Sequence, residues 1–228
     1  GDDYGIHNGS TITTLINSGT ISAGDDYGLY NDGTATITTL TNTGTISASG
    51  NGIGIWNDST STITTLDNSQ VNLTYKGKLP TYYNVIVNST SDYGKTVFSS
   101  VSGTTTFGVD STSTLTGSTT YSSVLSGLSS SDIASGTSSS FVSGSTRQTW
   151  TLENSSGSLW DLVVAADIDI TPDTNTSVTT SVKPNVILGI NNLTSVTEVN
   201  FANMNTYDCD LFDKNNICLS LGSRYTSI

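Results

Sequence analysis

The feature that most constrains the fold of this chain is a repeat that fills its first 75 residues. Each copy opens with a glycine-containing pentapeptide, seen as Tyr4-Gly5-Ile6-His7-Asn8, Tyr27-Gly28-Leu29-Tyr30-Asn31 and Ile53-Gly54-Ile55-Trp56-Asn57. Each copy then continues into Thr-Ile-Thr-Thr-Leu, at 11–15, 36–40 and 62–66. Two copies end in Asn-Ser/Thr-Gly-Thr-Ile-Ser-Ala, whereas the third departs at Asn68-Ser69-Gln70-Val71.

The spacing of the copies predicts a stacked solenoid. Gly5, Gly28 and Gly54 lie 23 and 26 residues apart, and a near-constant period in this range indicates a repeat architecture. The units are rich in β-branched residues and lack helical periodicity, so each unit predicts one coil of short strands. We therefore predict an all-β fold in which a right-handed parallel β-helix occupies residues 1–75.

Equivalent apolar residues of successive coils are expected to stack about 4.8 Å apart inside the solenoid. The predicted inward columns are Ile6/Leu29/Ile55, Ile12/Ile37/Ile63, Leu15/Leu40/Leu66 and Ile21/Ile46. Asn17, Asn42 and Asn68 recur before a turn and predict a ladder of amide hydrogen bonds, a device of stacked strands.

A second column is expected to point outward. His7, Tyr30 and Trp56 each follow an inward residue, so alternation along the strand directs them to solvent. Stacked exposed aromatic rings can bind sugars or a partner surface, which makes these three residues the candidate binding residues. Packing of the rings against one another is the alternative.

The acidic pair Asp25-Asp26, which follows Asp2-Asp3 by one repeat, has two interpretations. Close carboxylates could hold Ca²⁺, or they could form a solvated acidic turn. We predict neither a metal site nor a cofactor for this chain.

Residues 76–166 are predicted to form a β-rich cap. We expect strands near 82–87, 95–101, 104–110, 119–126, 147–153 and 158–165, with a serine-rich loop over 127–145. The segment 154–157 is a hairpin turn. Trp150 and Leu152 share one face and Trp160, Leu162 and Val164 another, and one of the two sets is expected to plug the open end of the solenoid and serve as a folding nucleus.

The end of the chain reads differently. Residues 167–206 contain Pro172 and Pro184 and predict a linker, with a possible helix over 189–204. Residues 207–228 are predicted to begin a transmembrane β-barrel, because 217–226 alternate between mainly apolar and small or polar side chains. A half-buried soluble strand has the same pattern.

The two cysteines, Cys209 and Cys218, leave three readings open: a local disulfide, free thiols, or a metal site. A zinc site would need more ligands than these two and the distant His7. The net charge of −12 argues against nucleic acid as a partner, because an acidic surface repels phosphate.

Catalytic residues are not predicted. His7 is the only histidine, and its repeat position holds other residues in the remaining copies. The sequence has no nucleophile-elbow, zinc-protease or phosphate-loop motif.

The order of these parts resembles the C-terminal passenger region of a Gram-negative autotransporter (type V secretion). The segment 40–46 resembles a rung of the passenger β-helix, and 106–109 and 119–125 resemble the autochaperone-like cap. The resemblance implies a cell-surface passenger, a pore-threading segment at 185–206 and the start of an outer-membrane barrel at 207–228. It also implies anchoring in the outer membrane through that barrel, the barrel-assembly machinery as a partner, and a glycan or protein ligand at the cell surface. The chain is expected to be a fragment.

The predicted function is a non-enzymatic stalk and cap that supports secretion, folding and adhesion. A fragment of a secreted β-helix enzyme acting on polysaccharide is one alternative, which requires several carboxylates within about 10 Å. A trimeric phage or fibre-type solenoid is the other, which requires an apolar stripe on the outside.

Overall fold

The computed structural model describes residues 3–134 and 137–170. This part of the chain is all-β and forms a parallel β-solenoid of about five turns. Its strands are β1 (Tyr4–Asn8), β2 (Thr11–Asn17), β3 (Thr20–Ala23), β4 (Tyr27–Asn31), β5 (Thr36–Asn42), β6 (Thr45–Ala48), β7 (Ile53–Asn57), β8 (Thr62–Asn68), β9 (Leu73–Lys78), β10 (Tyr82–Val85), β11 (Thr96–Ser102), β12 (Thr106–Val109), β13 (Thr119–Ser126), β14 (Ser138–Ser143), β15 (Thr146–Ser156), β16 (Leu159–Val164) and β17 (Ile168–Asp169). Within it, no helix is long and apolar enough to cross a membrane.

Three sheets form the sides of the solenoid. The first sheet has the order β1-β4-β7-β9-β11-β13-β16-β15-β14, with β17 beside β15. The second sheet has the order β12-β10-β8-β5-β2, and the third contains only β3 and β6. Pairing is parallel from β1 to β13 and antiparallel from β13 onward. The stack of coils therefore ends in a cap of hairpins.

The predicted inward columns are confirmed. The register pairs Leu29 with Ile55, Ile37 with Ile63 and Leu40 with Leu66, and all six side chains are buried. Their partners in the first coil are partly buried against the same core, namely Ile6, Ile12, Leu15 and Ile21. Full burial of one such side chain stabilises the fold by about 1.5–3 kcal/mol, so the columns are the main source of stability in the repeats.

The recurring glycine of the pentapeptide is required by a close approach of two sheets. A Cβ atom on Gly28 would lie 2.8 Å from the carbonyl oxygens of Gly54 and Ser47, which belong to the next coil and to the third sheet. No side chain can be accommodated at this distance. The repeat thus retains glycine where the first and third sheets meet.

The solenoid loses its third sheet after two coils. The third coil has no strand equivalent to β3 and β6, and the chain passes from β8 through Gln70 directly to β9 in the first sheet. The Gln70 side-chain Oε1 accepts from the Ile46 backbone N–H at 2.7 Å, and its Nε2 donates to the Ile46 carbonyl at 3.1 Å. The Gln70 side-chain amide therefore makes the two hydrogen bonds to Ile46 that the backbone of a neighbouring strand would otherwise make.

The parallel stack continues past the predicted boundary at residue 75. Strands β9, β11 and β13 extend the first sheet, and β10 and β12 extend the second. Tyr75 and Tyr83, packed with Phe98 and Phe107, take the inward places that Ile and Leu hold in the repeats. The boundary between 1–75 and 76–166 therefore separates two kinds of sequence within one solenoid.

Residues 138–170 form the cap. The predicted hairpin is confirmed by the pairing of β15 with β16, although its turn lies at Gly157 and Ser158, because β15 extends to Ser156. The predicted loop over 127–145 is wrong in its second half, because β14 pairs with the long β15. The predicted linker is also wrong at its start, since Ile168 and Asp169 pair with Arg147 and Thr146.

The remaining predictions for the end of the chain lie outside the described residues. They are the rest of the linker, the possible helix over 189–204, the barrel strand over 207–228, and the pair Cys209 and Cys218.

Candidate functional site

The candidate site is a group of aromatic rings on the outside of the first sheet, here called the aromatic face: Tyr4, His7, Tyr27, Tyr30 and Trp56. The parallel register pairs His7 with Tyr30 and Tyr30 with Trp56. The His7 and Tyr30 ring centroids are 5.2 Å apart with planes at 8°, and those of Tyr30 and Trp56 are 4.8 Å apart at 21°. The predicted column is therefore a continuous stack across three coils.

Tyr4 and Tyr27 form a second row that the sequence-based prediction missed. Their rings stack at 5.9 Å, and Tyr27 also contacts Trp56 at 4.4 Å between centroids. Tyr4 lies 5.2 Å from His7, although strict alternation would place residues three apart on opposite faces. Their recurrence at the first position of two copies was the available signal.

A cation extends the aromatic face onto the fourth coil. Lys76 pairs with Trp56 in the register, and its Nζ lies 5.2 Å from the centroid of that ring. Such a cation–π contact contributes about 0.5–1 kcal/mol at an exposed site. The stack of rings is thus covered at one end by an ammonium group.

Asp32 forms hydrogen bonds to two rings of the column, His7 and Tyr30. Its carboxylate accepts from the Tyr30 hydroxyl at 2.7 Å and contacts His7 Nε2 at 3.1 Å. These hydrogen bonds, the Tyr30 bond first, lower the pKa of the Asp32 carboxyl. The same bond to Asp32, together with burial, raises the pKa of the Tyr30 hydroxyl.

The geometry indicates what the aromatic face can bind. A sugar ring stacks on an open aromatic face, whereas the faces of Tyr30 are covered by His7 on one side and Trp56 on the other. The column exposes the edges of its rings to solvent, since Tyr30 and Trp56 are half-buried. These contacts favour mutual packing, and a binding role for His7, Tyr30 and Trp56 stays a prediction.

The acidic turn lies at the edge of the aromatic face. Asp25 and Asp26 are exposed and line a shallow groove of about 370 Å³ together with Asn51 and Lys76. Among the residues that the structure describes, no group of three or more His, Cys, Asp or Glu could hold a metal ion.

The predicted cap cluster comes together in one place. Trp150, Leu152, Trp160 and Leu162 are all buried, because β15 and β16 direct both sets to the same face. The expectation that only one set faces the core is therefore wrong. Trp150 meets Phe107 edge to face at 5.6 Å, and Trp160 Nε1 donates to the Leu128 carbonyl at 2.9 Å. Both indoles tie the cap to the last coils.

The fold and these contacts define the class of the molecule, a parallel β-solenoid closed by an antiparallel cap. Comparison with known proteins finds no matching family, no matching curated sequence and no matching solved structure.

Proposed function

We propose that this chain is the stalk and cap of a surface-displayed passenger of the Gram-negative autotransporter type, with a mechanical role. The observation that supports it most is the cap, whose Trp150 and Trp160 are packed against the end of a parallel stack. Parallel coils are slow to start, because their contacts join residues that are distant in sequence. A cap that folds first provides the surface on which they form.

The way in which the coils are joined supports the stalk role. Backbone pairing, the buried columns and the aromatic stack all connect one coil to the next along the solenoid axis. A structure held together in this direction can keep an attached part at a distance from a cell.

The same proposal covers location and partners. The passenger is exposed on the outer membrane, anchored by its own barrel with the help of the barrel-assembly machinery. Its outward ring edges contact a glycan or protein on another surface. His7 occupies a repeat position that holds Tyr30 and Trp56 in the other two copies, which supports a non-enzymatic role.

Labelling of intact cells tests the proposal. Antibodies raised against the solenoid are applied to cells that express the full protein, before and after treatment with external protease. We expect labelling of unpermeabilised cells that the protease abolishes. Labelling that requires permeabilisation of the outer membrane would contradict surface display.

A further inference from the structure

Three tyrosines of the aromatic face lie close to one another across two coils. Tyr4 belongs to β1 of the first coil, and Tyr27 and Tyr30 belong to β4 of the second. The Tyr4 ring centroid is 5.2 Å from that of Tyr30 and 5.9 Å from that of Tyr27. All three side chains are half-buried, so solvent reaches part of each ring. A reaction at one of these rings can therefore involve a ring of the neighbouring coil.

The two tyrosines of the second coil meet Tyr4 in different ways. The Tyr27 and Tyr4 rings are stacked with their planes at 11°, whereas the planes of Tyr30 and Tyr4 are tilted by 32°. A covalent bond between two aromatic rings joins carbon atoms at their edges. The pair of Tyr4 and Tyr30 is both closer and more tilted, so its ring edges are better placed for such a bond.

Asp32 provides Tyr30 with a proton acceptor. The Tyr30 hydroxyl donates to the Asp32 carboxylate at 2.7 Å. The hydrogen bonds that Asp32 accepts lower the pKa of its carboxyl, so the group is ionised at neutral pH. A phenol that loses an electron becomes strongly acidic, and a carboxylate in direct contact takes up its proton. Asp32 therefore assists the one-electron oxidation of Tyr30.

We propose that Tyr4 and Tyr30 form a dityrosine cross-link when a peroxidase acts on the protein with hydrogen peroxide. Each phenol gives one electron to the oxidant and loses its hydroxyl proton, from Tyr30 to Asp32 and from Tyr4 to water. The two phenoxyl radicals form a bond between the ring carbons next to their oxygens. Each of these carbons then releases its hydrogen as a proton, and each oxygen regains a proton. The pair loses two electrons and two protons in total, and these reduce one hydrogen peroxide to two waters.

The cross-link joins the first coil covalently to the second. The two cysteines of the chain are Cys209 and Cys218, so no disulfide can form within the repeats. Neighbouring coils are held there by backbone pairing, apolar packing and asparagine hydrogen bonds. A bond between Tyr4 and Tyr30 closes a loop in the unfolded chain, which lowers the conformational entropy of that state and favours the folded one.

Oxidation of the full chain by a peroxidase and hydrogen peroxide tests the proposal. We expect a monomeric product that is lighter by two hydrogens, in which digestion leaves the peptide of Tyr4 joined to the peptide of Tyr30. The cross-linked protein should unfold at a higher urea concentration than the untreated protein. A chain that forms no cross-link, or links only to a second chain, would overturn the proposal.

Two tyrosine substitutions identify the partner of Tyr4. Tyr30→Phe keeps the ring but removes the hydroxyl, and it should lower the yield of the cross-link at least tenfold. Tyr27→Phe makes the same change in the stacked neighbour and should leave the yield within twofold. Equal yields from the two variants would overturn the assignment to Tyr30.

Two aspartate substitutions test the proton acceptor. Asp32→Asn keeps the shape of the side chain but removes the base, and it should slow formation of the cross-link at least threefold. Asp58→Asn is the control, because Asp58 follows the pentapeptide of the next coil as Asp32 does in its own, and its carboxylate accepts from Thr60 N–H at 3.1 Å. Equal rates in the two variants would overturn the role of Asp32.

Discussion

At the scale of single residues, Gln70 decides the shape of the solenoid. Its side chain bonds both backbone groups of Ile46 and also accepts from Asn42 Nδ2 at 2.9 Å. The sequence shows that the third copy departs at this point. It does not show that one side-chain amide replaces a strand, because that depends on where the Gln70 backbone lies relative to β6.

Gln70→Ala is expected to destabilise the fold by about 1–3 kcal/mol, because the Ile46 N–H loses its partner in a half-buried place. Val71→Ala is the control, because Val71 is the next residue in the chain and its side chain is 46% exposed. Urea unfolding measures both. Equal, small losses in the two variants would show that the Gln70 amide is not needed.

Buried tyrosines make the fold sensitive to alkali. Burial raises the pKa of Tyr83 to about 12, against the weaker opposite effect of its bonds to Thr96 and Asn68. Burial also raises the pKa of Tyr75. Because the folded state disfavours the phenolate, this stability is fully present below the unfolded pKa of about 10 and is lost as the pH rises toward 12.

The melting temperature of the protein should therefore fall between pH 10 and pH 12. For Tyr83 the full loss corresponds to roughly 3 kcal/mol. Tyr83→Phe should be less stable at pH 8, through the lost bond to Thr96, but should show a shallower fall. Thermal melts across this range measure both slopes, and parallel curves would contradict the assignment.

At the scale of elements, two asparagine ladders join the coils. The predicted ladder is confirmed, with Asn17 Nδ2 donating to Asn42 at 2.8 Å and Asn42 Nδ2 donating to Asn68 at 3.0 Å. A second ladder, Asn8 to Asn31 to Asn57, has both bonds at 2.8 Å. Its asparagines end every pentapeptide, so the repeat itself carried the signal that the sequence-based prediction missed.

The position of an asparagine within its ladder should set its importance. Asn31 is fully buried and bonds to both neighbours, whereas Asn8 ends the ladder. Asn31→Ala is expected to cost about 1–3 kcal/mol, since it leaves buried amide groups unpaired, and Asn8→Ala less than half as much. Chemical denaturation of the two variants checks the order, and a larger loss for Asn8→Ala would contradict it.

The repeats could be predicted from the sequence, and so could the later strands β10 to β13, but not that these strands continue the same coils. In the repeats the same residue types recur in register, so the inward columns follow from periodicity. From Leu66 to Tyr83 and on to Phe107 the inward places are kept, but the residue types and the spacing both change. β14 could not be predicted for another reason. Its serines show no alternation of apolar and polar residues, and it forms a strand because it pairs with β15.

At the scale of the whole molecule, the described residues form a stack with unlike ends. The cap end is closed by buried Trp150 and Trp160, whereas the first coil leaves Ile6, Ile12, Leu15 and Ile21 only partly buried. The outward column was predictable from alternation, whereas the second row of Tyr4 and Tyr27 breaks that alternation and is visible in the sequence only as a recurrence in two copies.

We propose that the cap drives folding of the stalk at the cell surface. Trp160 and Leu159 are neighbours on β16 with opposite environments, since Trp160 is 6% exposed and Leu159 is 38% exposed. Trp160→Asp removes the packing and the bond to Leu128 and buries a carboxylate without a partner, at a cost of several kcal/mol. Leu159→Asp places the same charge in water.

The most direct measurement is the amount of each full-length variant that is labelled on intact cells, relative to its total expression. We predict that Trp160→Asp reduces this ratio at least tenfold, whereas Leu159→Asp leaves it within twofold of the unmodified protein. Equal display of the two variants would contradict the claim.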